Sequence, residues 1–413
     1  MIRIIAILLL AGNLSWAQES KSDEVIALHV GKILTVTKGV INNGTILIRN
    51  GKIAALGKEV MIPEGAIEID ARKQWAMPGM VDLHCHVGNG SPWGNLNDMV
   101  FPTNPGLSTL GTIQPNNENL KNAWAGGVTT VLYIPGSGTN MGGFGVLMKT
   151  GGSDTVGGLI LRFPGAVKVA QAWNPERRGG DLGRTRMGMW WNLRHLLTRA
   201  KAYHESWSNF EKGLTKIPPV VEPDLEKLRG VFQGKYPVII HTADARDVMG
   251  TVRMFHDQYK LPMIISHGEF GGFRVAKEIA RRGIHANIGP RIYDFAYQKY
   301  DGRFDGIPTK FRQGGVKKIS INTDSPVVPQ EDLWFQASMA VRLGMPAEEA
   351  LAGVTIIPAQ AVMADHRVGS LEVGKDADIV LKTGDPFDIR SYVTLTMING
   401  KIVYDLRHDK RRY

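Results

Sequence analysis

The chain has 413 residues, 43% hydrophobic and 21% charged, which allows one large core plus a smaller domain and excludes a disordered protein. The formal net charge is +10, but the basic residues are scattered and no nucleic-acid-binding motif accompanies them, so we expect no nucleic-acid partner. The single cysteine, Cys85, excludes an intramolecular disulfide, so stability has to come from packing and from bound metal.

The first seventeen residues have the layout of a cleavable secretory signal. Arg3 precedes an apolar run at residues 4–10, and small residues at 15 and 17 come just before Gln18. The apolar run is shorter than the ~20 residues that a membrane-spanning helix needs. We therefore predict that residues 1–17 are removed, that the protein is exported to the periplasm or the extracellular space, and that it has no stable membrane insertion.

Both ends of the mature chain contain short alternating apolar runs separated by turns. In residues 24–76 the pair Asn50-Gly51 stands between two such runs, which is a strong hairpin signal. Residues 364–406 also contain short alternating apolar runs separated by turns. We predict that these two segments assemble into one small β-sandwich domain.

The middle of the chain, residues 77–363, alternates apolar strands with helical segments, which indicates an α/β fold with a parallel sheet. The strand candidates are residues 80–85, 129–134, 159–161, 166–170, 238–241, 263–267, 285–288 and 319–323. Eight βα units in a segment of this length predict a TIM-like (β/α)8 barrel. A doubly wound open sheet is the alternative that the spacing alone leaves open.

Two segments do not fit this simple alternation. Residues 88–115 are rich in Gly, Asn, Pro and Ser and follow the first barrel strand, so they form a candidate lid. Residues 186–212 make a long helical stretch that includes Trp190 and Trp191. We expect this helix to pack on the barrel rather than to bind substrate.

Polar side chains stand at the ends of several predicted strands. Because alternate residues of a strand face the same side, His84 and His86 project together while Cys85 faces away. Three further strand candidates end in a polar residue: His241, His267 and Asp324. Each of these alone has a structural explanation, but together they lie at the end of the strands where barrel enzymes carry their active sites. The set predicts a metal site.

Lys168 lies inside the apolar strand candidate at residues 166–170. A buried lysine is costly unless its charge is removed or paired. A lowered pKa would make the amine nucleophilic towards CO2, and the resulting carbamate would be a two-oxygen ligand able to bridge two cations. A lysine on an exposed face, or an unmodified ion-pair partner, is the alternative.

Taken in order along the chain, these motifs resemble those of the amidohydrolase superfamily. The resemblance rests on Pro78-Gly79-Met80-Val81-Asp82-Leu83-His84-Cys85-His86, Lys168, His241, Ser266-His267-Gly268, Asn322-Thr323-Asp324 and residues 368–381. It covers nearly the whole mature chain and is strongest with the imidazolonepropionase-like branch, including its prolidase-like secreted members.

The resemblance implies a site with two divalent metal ions, zinc by default, built from strand ends. Its ligands would be His84 and His86 on the more buried metal, His241 and His267 on the more exposed one, Lys168 as a bridging carbamate, and Asp324. The implied reaction is hydrolysis of an amide-type C–N bond in a small molecule: a dipeptide, an N-acyl amino acid or a cyclic amide. A metal-bridging hydroxide would attack, with Asp324 as general base and then general acid.

Substrate contacts are less well determined by the sequence. Arg291 and Tyr293 follow the seventh strand candidate and are candidates to hold a substrate carboxylate. After His241 the chain continues Thr242-Ala243-Asp244, where related proteins often carry basic residues, so their substrate preference does not transfer.

Several alternatives stay open at this point. They are a mononuclear deaminase, an esterase, lactonase or phosphotriesterase on the same barrel, and a non-catalytic binding protein. Manganese, iron or cobalt could replace zinc. The sequence also leaves open whether the protein forms a homo-oligomer.

Overall fold

A computed structural model describes residues 24–91, 96–176, 185–294 and 304–412. The predicted signal segment 1–17 lies outside these residues, and so do residues 92–95 of the candidate lid. Among the described residues, no helix combines the length and the apolar composition that crossing a bilayer requires.

The described chain begins with four strands. They are β1 (Val25–Leu34), β2 (Val40–Arg49), β3 (Lys52–Gly57) and β4 (Ile67–Pro78). Strands β2 and β3 form the hairpin predicted from Asn50-Gly51, and both turn residues have positive φ, 52° and 75°. Such angles give a turn whose twist matches that of the strands. Strand β1 pairs antiparallel with β2 and parallel with β4.

The middle of the chain forms an eight-stranded sheet that closes towards a barrel. Its strands are β5 (Met80–Cys85), β6 (Val128–Tyr133), β7 (Met141–Lys149), β8 (Ile160–Ala170), β9 (Val238–Thr242), β10 (Met263–His267), β11 (His285–Ile288) and β14 (Ile319–Ile321). They lie side by side in that order. The amide of His86 donates to the carbonyl of Ser325 at 2.9 Å, which joins the first strand to the segment after the last. The predicted TIM-like barrel is confirmed.

One barrel strand differs from the prediction. Residues 159–161 are not a separate strand, because residue 160 begins β8, which runs on through Pro164 with shifts of register. The strand that the sequence did not predict is β7, which pairs antiparallel with both β6 and β8. Its three glycines hid the strand pattern, since glycine weakens a strand. A Cβ on Gly143 would lie 2.4 Å from the carbonyl oxygen of Leu107. Glycine is therefore needed at this position, where the segment that contains Leu107 crosses β7.

The segment that crosses β7 is the candidate lid. The amide of Asn104 donates to the Met141 carbonyl at 2.8 Å, and the amide of Thr109 donates to the Phe144 carbonyl at 3.0 Å. By contrast, residues 99–101 are exposed. The segment is therefore attached to the barrel wall at its middle, and its role as a lid stays a prediction.

Helices cover the outside of the sheet. They are α1 (Glu118–Ala125), α2 (Val156–Leu159), α3 (Arg186–Glu211), α4 (Pro223–Glu226), α5 (Leu228–Phe232), α6 (Ala245–Thr251), α7 (Ala276–Arg281), α8 (Ile307–Gln313), α9 (Leu333–Arg342), α10 (Ala347–Gly353) and α11 (Ile356–Ala361). As predicted, the long helix α3 packs on the barrel, and it buries Leu193, Leu197 and Ala200. A two-stranded hairpin, β12 (Tyr293–Asp294) and β13 (Asp305–Gly306), follows β11.

The last three strands return to the first sheet. They are β15 (Ile379–Lys382), β16 (Val393–Ile398) and β17 (Lys401–Asp405), and β15 pairs antiparallel with β4. Both termini thus form one seven-stranded sheet, in the order β17-β16-β15-β4-β1-β2-β3. The two ends thus form one continuous hydrogen-bonded sheet, and the assembly of residues 24–76 and 364–406 into a β-sandwich stays a prediction.

A buried ion cluster fastens this sheet to the barrel. Lys149, the last residue of β7, is 1% exposed and lies 3.0 Å from Asp376 Oδ2, and its ammonium also contacts Asp378. Arg367 donates to Asp376 Oδ2 at 2.8 Å. The antiparallel direction of β7 brings Lys149 to the amino-terminal end of the neighbouring barrel strands, where the two acids stand.

Candidate metal centre

Strand β5 brings two histidines to one point at the carboxyl end of the barrel. His84 is fully buried and His86 is 7% exposed, and their ring centroids lie 5.0 Å apart. Their Nε2 atoms lie 3.3 and 3.2 Å from the same oxygen, Asp324 Oδ1. Ligand atoms of these three residues all lie within 4.8 Å of one another. The alternation predicted for residues 84–86 therefore produces a compact donor group.

The other two predicted histidines stand beside this group. His267 is the last residue of β10, and His241 is the last but one of β9. The ring of His267 lies 4.4 Å from that of His84 and 4.5 Å from that of His241, measured between centroids. His241 is the more exposed of the two. Neighbouring parallel strands end at the same edge of a sheet, which is why residues distant in sequence meet here.

Hydrogen bonds orient the histidine rings so that Nε2 points into the site. His86 Nδ1 donates to the Ile134 carbonyl at 2.9 Å, and His267 Nδ1 donates to the Gly289 carbonyl. A carbonyl can only accept, so both rings carry a proton on Nδ1 and present Nε2 to the site. His84 Nδ1 contacts Ser266 Oγ at 2.7 Å, and His241 Nδ1 contacts Ser137 Oγ at 3.1 Å.

The Nε2 atom of His267 provides a test of whether a metal fits this donor set. This atom is buried and has no hydrogen-bond partner among the described residues. A buried polar atom without a partner is costly, and a lone pair directed at other ligand atoms is what a cation requires. The residues present therefore fit a divalent metal ion.

Lys168 occupies the same buried space. It lies in β8 and is fully buried, and its Nζ is 2.8 Å from His84 Nε2. Burial lowers the pKa of its ammonium to about 7, against a weaker opposing effect of Asp324. Near neutral pH a substantial fraction of Lys168 is therefore an uncharged amine.

Three of the imidazoles, those of His84, His241 and His267, are also uncharged at neutral pH. Burial, and then the positive charge of Lys168, hold the pKa of His84 well below its usual value, and burial likewise lowers the pKa of His241 and of His267. For Asp324, burial alone would raise the pKa of the carboxyl, but the nearby His267, His86 and Lys168 outweigh it and lower the value to about 2. The site thus offers neutral nitrogen donors and one carboxylate.

Two of these residues have backbone conformations that side-chain-bearing residues rarely adopt. The φ angle is 69° at His267 and 50° at Asp324. Such conformations cost on the order of 1–3 kcal/mol each and persist where the surrounding structure holds them, often at functional sites. Asp324 lies three residues beyond β14, which ends at Ile321, earlier than the predicted strand end.

Asp82 holds Asp324 in place, a role that the sequence analysis missed. Its Oδ1 accepts from the amide of His84 at 2.9 Å. Its Oδ2 accepts from the amide of Thr323 at 3.1 Å, from Thr323 Oγ1 at 2.6 Å and from Gln330 Nε2 at 2.6 Å. Burial raises the pKa of Asp82 to about 6 in spite of these bonds. An acid two residues before a metal-binding histidine, on the same face of the strand, was the signal available.

Glu269 is a second residue that the sequence analysis missed. It follows His267-Gly268, is 9% exposed, and accepts from the backbone amide of Arg291 at 3.1 Å. Burial raises the pKa of Glu269 to about 8, so its carboxyl is largely protonated at neutral pH. A neutral carboxyl can donate a hydrogen bond as well as accept one.

The two predicted substrate contacts, Arg291 and Tyr293, have different surroundings. The guanidinium of Arg291 lies 4.7 Å from the ring centroid of Phe270, which in turn lies 4.1 Å from that of Trp173. Tyr293 is in β12, 38% exposed, with its ring 5.6 Å from that of Phe304. The structure therefore puts Arg291 beside Glu269, and Tyr293 on the adjoining hairpin. All six predicted metal ligands converge, and their roles as ligands stay predictions.

Comparison with known proteins agrees with this geometry. Residues 235–403 match the family model described as Amidohydrolase family, a range that includes His241, His267 and Asp324. A crystal structure of an amidohydrolase from Thermotoga maritima MSB8 matches with a TM-score of 0.83 and 28% identity, over 92% of this chain and all of that one. The imidazolonepropionase of Mesorhizobium japonicum is 25% identical over 83% of this chain and 87% of its own length.

One relative is much longer than this chain. The amidohydrolase tasK of Hapsidospora irregularis is 25% identical over 88% of this chain, and the match spans 40% of that protein. The likeness to tasK therefore concerns less than half of the longer protein.

The role of Asp82 can be tested by Asp82→Asn, which puts an amide NH2 against the donors of Thr323 and Gln330. We expect the affinity for Zn²⁺ to fall about 10–100-fold, because residues that orient metal ligands have effects of that size. Affinity would be measured by chelator competition. Asp154→Asn is the control, since Asp154 is exposed and accepts one bond, from Asn116. Wild-type affinity in a folded Asp82→Asn protein would contradict the assignment.

Proposed function

We propose that the chain is a metal-dependent hydrolase of the amidohydrolase superfamily, in its imidazolonepropionase- and prolidase-like branch, and that it hydrolyses an amide-type C–N bond. The substrate class is a dipeptide, an N-acyl amino acid or a cyclic amide. The observation that carries the proposal is the convergence of four imidazoles, Lys168 and Asp324 at the carboxyl end of the barrel, with the buried Nε2 of His267 unpartnered among the described residues.

We assign the donors to two divalent cations, zinc by default. His84 and His86 would hold the more buried ion together with Asp324, which is supported by their contacts of 3.2 and 3.3 Å to the same carboxylate oxygen. His241 and His267 would hold the second ion. Ions bound there would supply a Lewis acid for the substrate carbonyl and a water of lowered pKa.

Lys168 would bridge the two positions as a carbamate. Its neutral amine nitrogen would attack the carbon of CO2: one C–N bond would form, one C=O π bond would open, and one proton would leave to solvent, which turns the neutral amine into an anionic carbamate. Two features support this assignment: the amine is fully buried and its pKa is lowered to about 7. An anion with two oxygens would also offset the positive charge of the ions.

Asp324 would act as the proton carrier. Its pKa is lowered to about 2, so it is ionised at neutral pH and ready to accept a proton from the attacking water. Its side chain is 16% exposed, more than those of His84 and His86, so it faces the mouth through which substrate enters. The protonated carboxyl would then deliver the proton to the departing amine nitrogen.

Asp324→Asn tests this role. An amide cannot take up the proton, so kcat should fall by about 10²–10⁴-fold, the usual contribution of general acid–base catalysis. Turnover would be measured on a library of dipeptides and N-acyl amino acids, with metal content determined on the same samples. Asp154→Asn serves as control. A metal-loaded Asp324→Asn enzyme with wild-type turnover would show that the proton carrier is another group.

The carbamate can be tested through its pH dependence. Only the neutral amine reacts with CO2, and with a pKa of about 7 the neutral fraction of Lys168 rises from roughly a tenth at pH 6 to roughly nine tenths at pH 8. Metal-free protein, held at constant dissolved ¹³CO2 and supplied with Zn²⁺, should therefore take up metal and show a ¹³C carbamate signal more fully at pH 8 than at pH 6.

The same experiment separates the two-metal hydrolase from a one-metal deaminase. The three-residue group of His84, His86 and Asp324 on its own favours a single ion, so this alternative has structural support. The hydrolase is supported by two metals per chain together with a carbamate. In Lys168→Gln the carbamate and the two-metal content should be lost, whereas in the exposed control Lys201→Gln they should be kept. One metal and no ¹³C signal at any pH support the deaminase.

Arg291 is proposed to bind a substrate carboxylate, with Tyr293 nearby. Support comes from its place after β11, with its backbone amide on Glu269. Arg291→Ala should raise KM at least about 10-fold for an N-acyl amino acid with a free carboxylate, since a hydrogen bond to a charged group is worth about 1.5–3 kcal/mol. The matched C-terminal amide should be unaffected. Equal KM changes for both substrates would remove this assignment.

Export to the periplasm or the extracellular space is proposed from the composition of residues 1–17. In a host with the same secretion route, the protein should accumulate outside the cytoplasm with Gln18 as its first residue, as determined by mass spectrometry. Full-length protein retained in the cytoplasm would argue against export.

A further inference from the structure

A cavity of about 440 Å³ lies at the end of the barrel opposite to the metal centre. Its walls come from the start of β8, the carboxyl end of α3, helix α5 and the residues that lead into β9. Arg162 in β8 lines it, whereas Lys168, six residues further along the same strand, belongs to the metal centre. At the usual rise of about 3.3 Å per residue, the two sites are roughly 20 Å apart.

One of the two arginines in this cavity is paired with two acids, although its Nε, like that of Arg162, is buried without a hydrogen-bond partner among the described residues. Arg229 Nη1 donates to Glu226 Oε1 at 2.9 Å, and its Nη2 contacts Glu211. The second oxygen of Glu226 accepts from the hydroxyl of Tyr203. Both carboxylates in the cavity wall are thus committed to groups of the protein.

Arg162 has no such partner. Its Nη2 donates to the Gly165 carbonyl at 2.9 Å, while its Nε is buried and without a hydrogen-bond partner among the described residues. Burial lowers the pKa of its guanidinium. Lys235, an exposed residue at the rim, adds another cation. Three cationic side chains face two carboxylates, so one positive charge in this cavity lacks a counter-charge from the described chain.

Apart from the exposed Gln233, the rest of the wall is apolar or aromatic. Phe163, Pro164 and the ring of Tyr236 line the cavity, and the hydroxyl of Tyr236 already donates to the Lys227 carbonyl. A guanidinium presents its donors as a planar fork that matches a carboxylate. An excess of one positive charge suits a monoanion better than a dianion.

We propose that this cavity binds a small organic monocarboxylate, with the carboxylate on Arg162 and its apolar part against Phe163 and Tyr236. The site is separate from the metal centre and does not depend on the hydrolytic reaction. It connects β8 to the end of α3, so a bound carboxylate would link the barrel wall to that helix.

The probe is benzoate, an aromatic monocarboxylate, titrated calorimetrically into the full-length, metal-loaded protein. We expect a dissociation constant of order ~1 mM. In Arg162→Gln binding should weaken by at least about ten-fold, as the loss of a charge-assisted hydrogen bond predicts. Binding should be unchanged in Arg199→Gln, which alters an exposed arginine on α3, and in Arg291→Ala, which alters the mouth. Benzamide should not bind.

Localisation gives a second, independent measurement. In crystals soaked with 4-bromobenzoate, the anomalous bromine signal should lie in this cavity. A thermal melt of each variant without ligand verifies folding. If Arg162→Gln does not fold, Arg162→Lys keeps the charge without the fork, and intermediate weakening is expected.

Four results would overturn the proposal. They are no benzoate binding at concentrations far above the expected dissociation constant, equal binding in wild-type protein and both Arg162 variants, a bromine signal only at the metal centre, and tighter Arg162-dependent binding of inorganic phosphate than of benzoate. The last result would assign the cavity to a phosphate group instead of a carboxylate.

Discussion

Four imidazoles and the side-chain nitrogen of Lys168 stand together with a single carboxylate, that of Asp324. The rest of the site is arranged around this excess of nitrogen donors over carboxylates. Burial lowers the pKa of His84, His241 and His267, so these three imidazoles offer a lone pair instead of a charge. Carbonyl oxygens on Ile134 and Gly289 take the Nδ1 protons of two rings and direct the lone pairs inward. Nitrogen donors oriented in this way suit a divalent cation, and they stand in place before any substrate arrives.

The sequence was sufficient for the parts of this arrangement that follow from strand geometry. The shared direction of His84 and His86 follows from the period of a strand. The meeting of the polar residues at the ends of β9 and β10 follows from the parallel direction of these strands. Strand β7 was not predictable in the same way, because Gly143 is required by contact with a crossing segment, around Leu107, that is distant in sequence. Asp82 was missed for a similar reason, since its partners Thr323 and Gln330 follow the last barrel strand and are more than 200 residues away in sequence.

The same contrast explains why the substrate side of the site is harder to deduce. Metal ligands have to meet in a small volume, which leaves few arrangements, whereas groups at the mouth lie on loops with individual conformations. Trp173 has a φ of 53°, and its contact with Phe270 joins the loop after β8 to the loop after β10. No periodicity in the sequence encodes such a contact, and the raised pKa of Glu269 likewise comes from burial by residues of several loops.

The seven-stranded sheet has a consequence for how the polypeptide is made. Strand β4 ends at Pro78, but its partner β15 begins at Ile379, after the whole barrel. During synthesis the amino-terminal strands emerge first and must wait with the edge of β4 open, and an open edge is a template for pairing with other chains. The order of synthesis is therefore not the order of assembly, because this edge of β4 stays unpaired until β15 has been made.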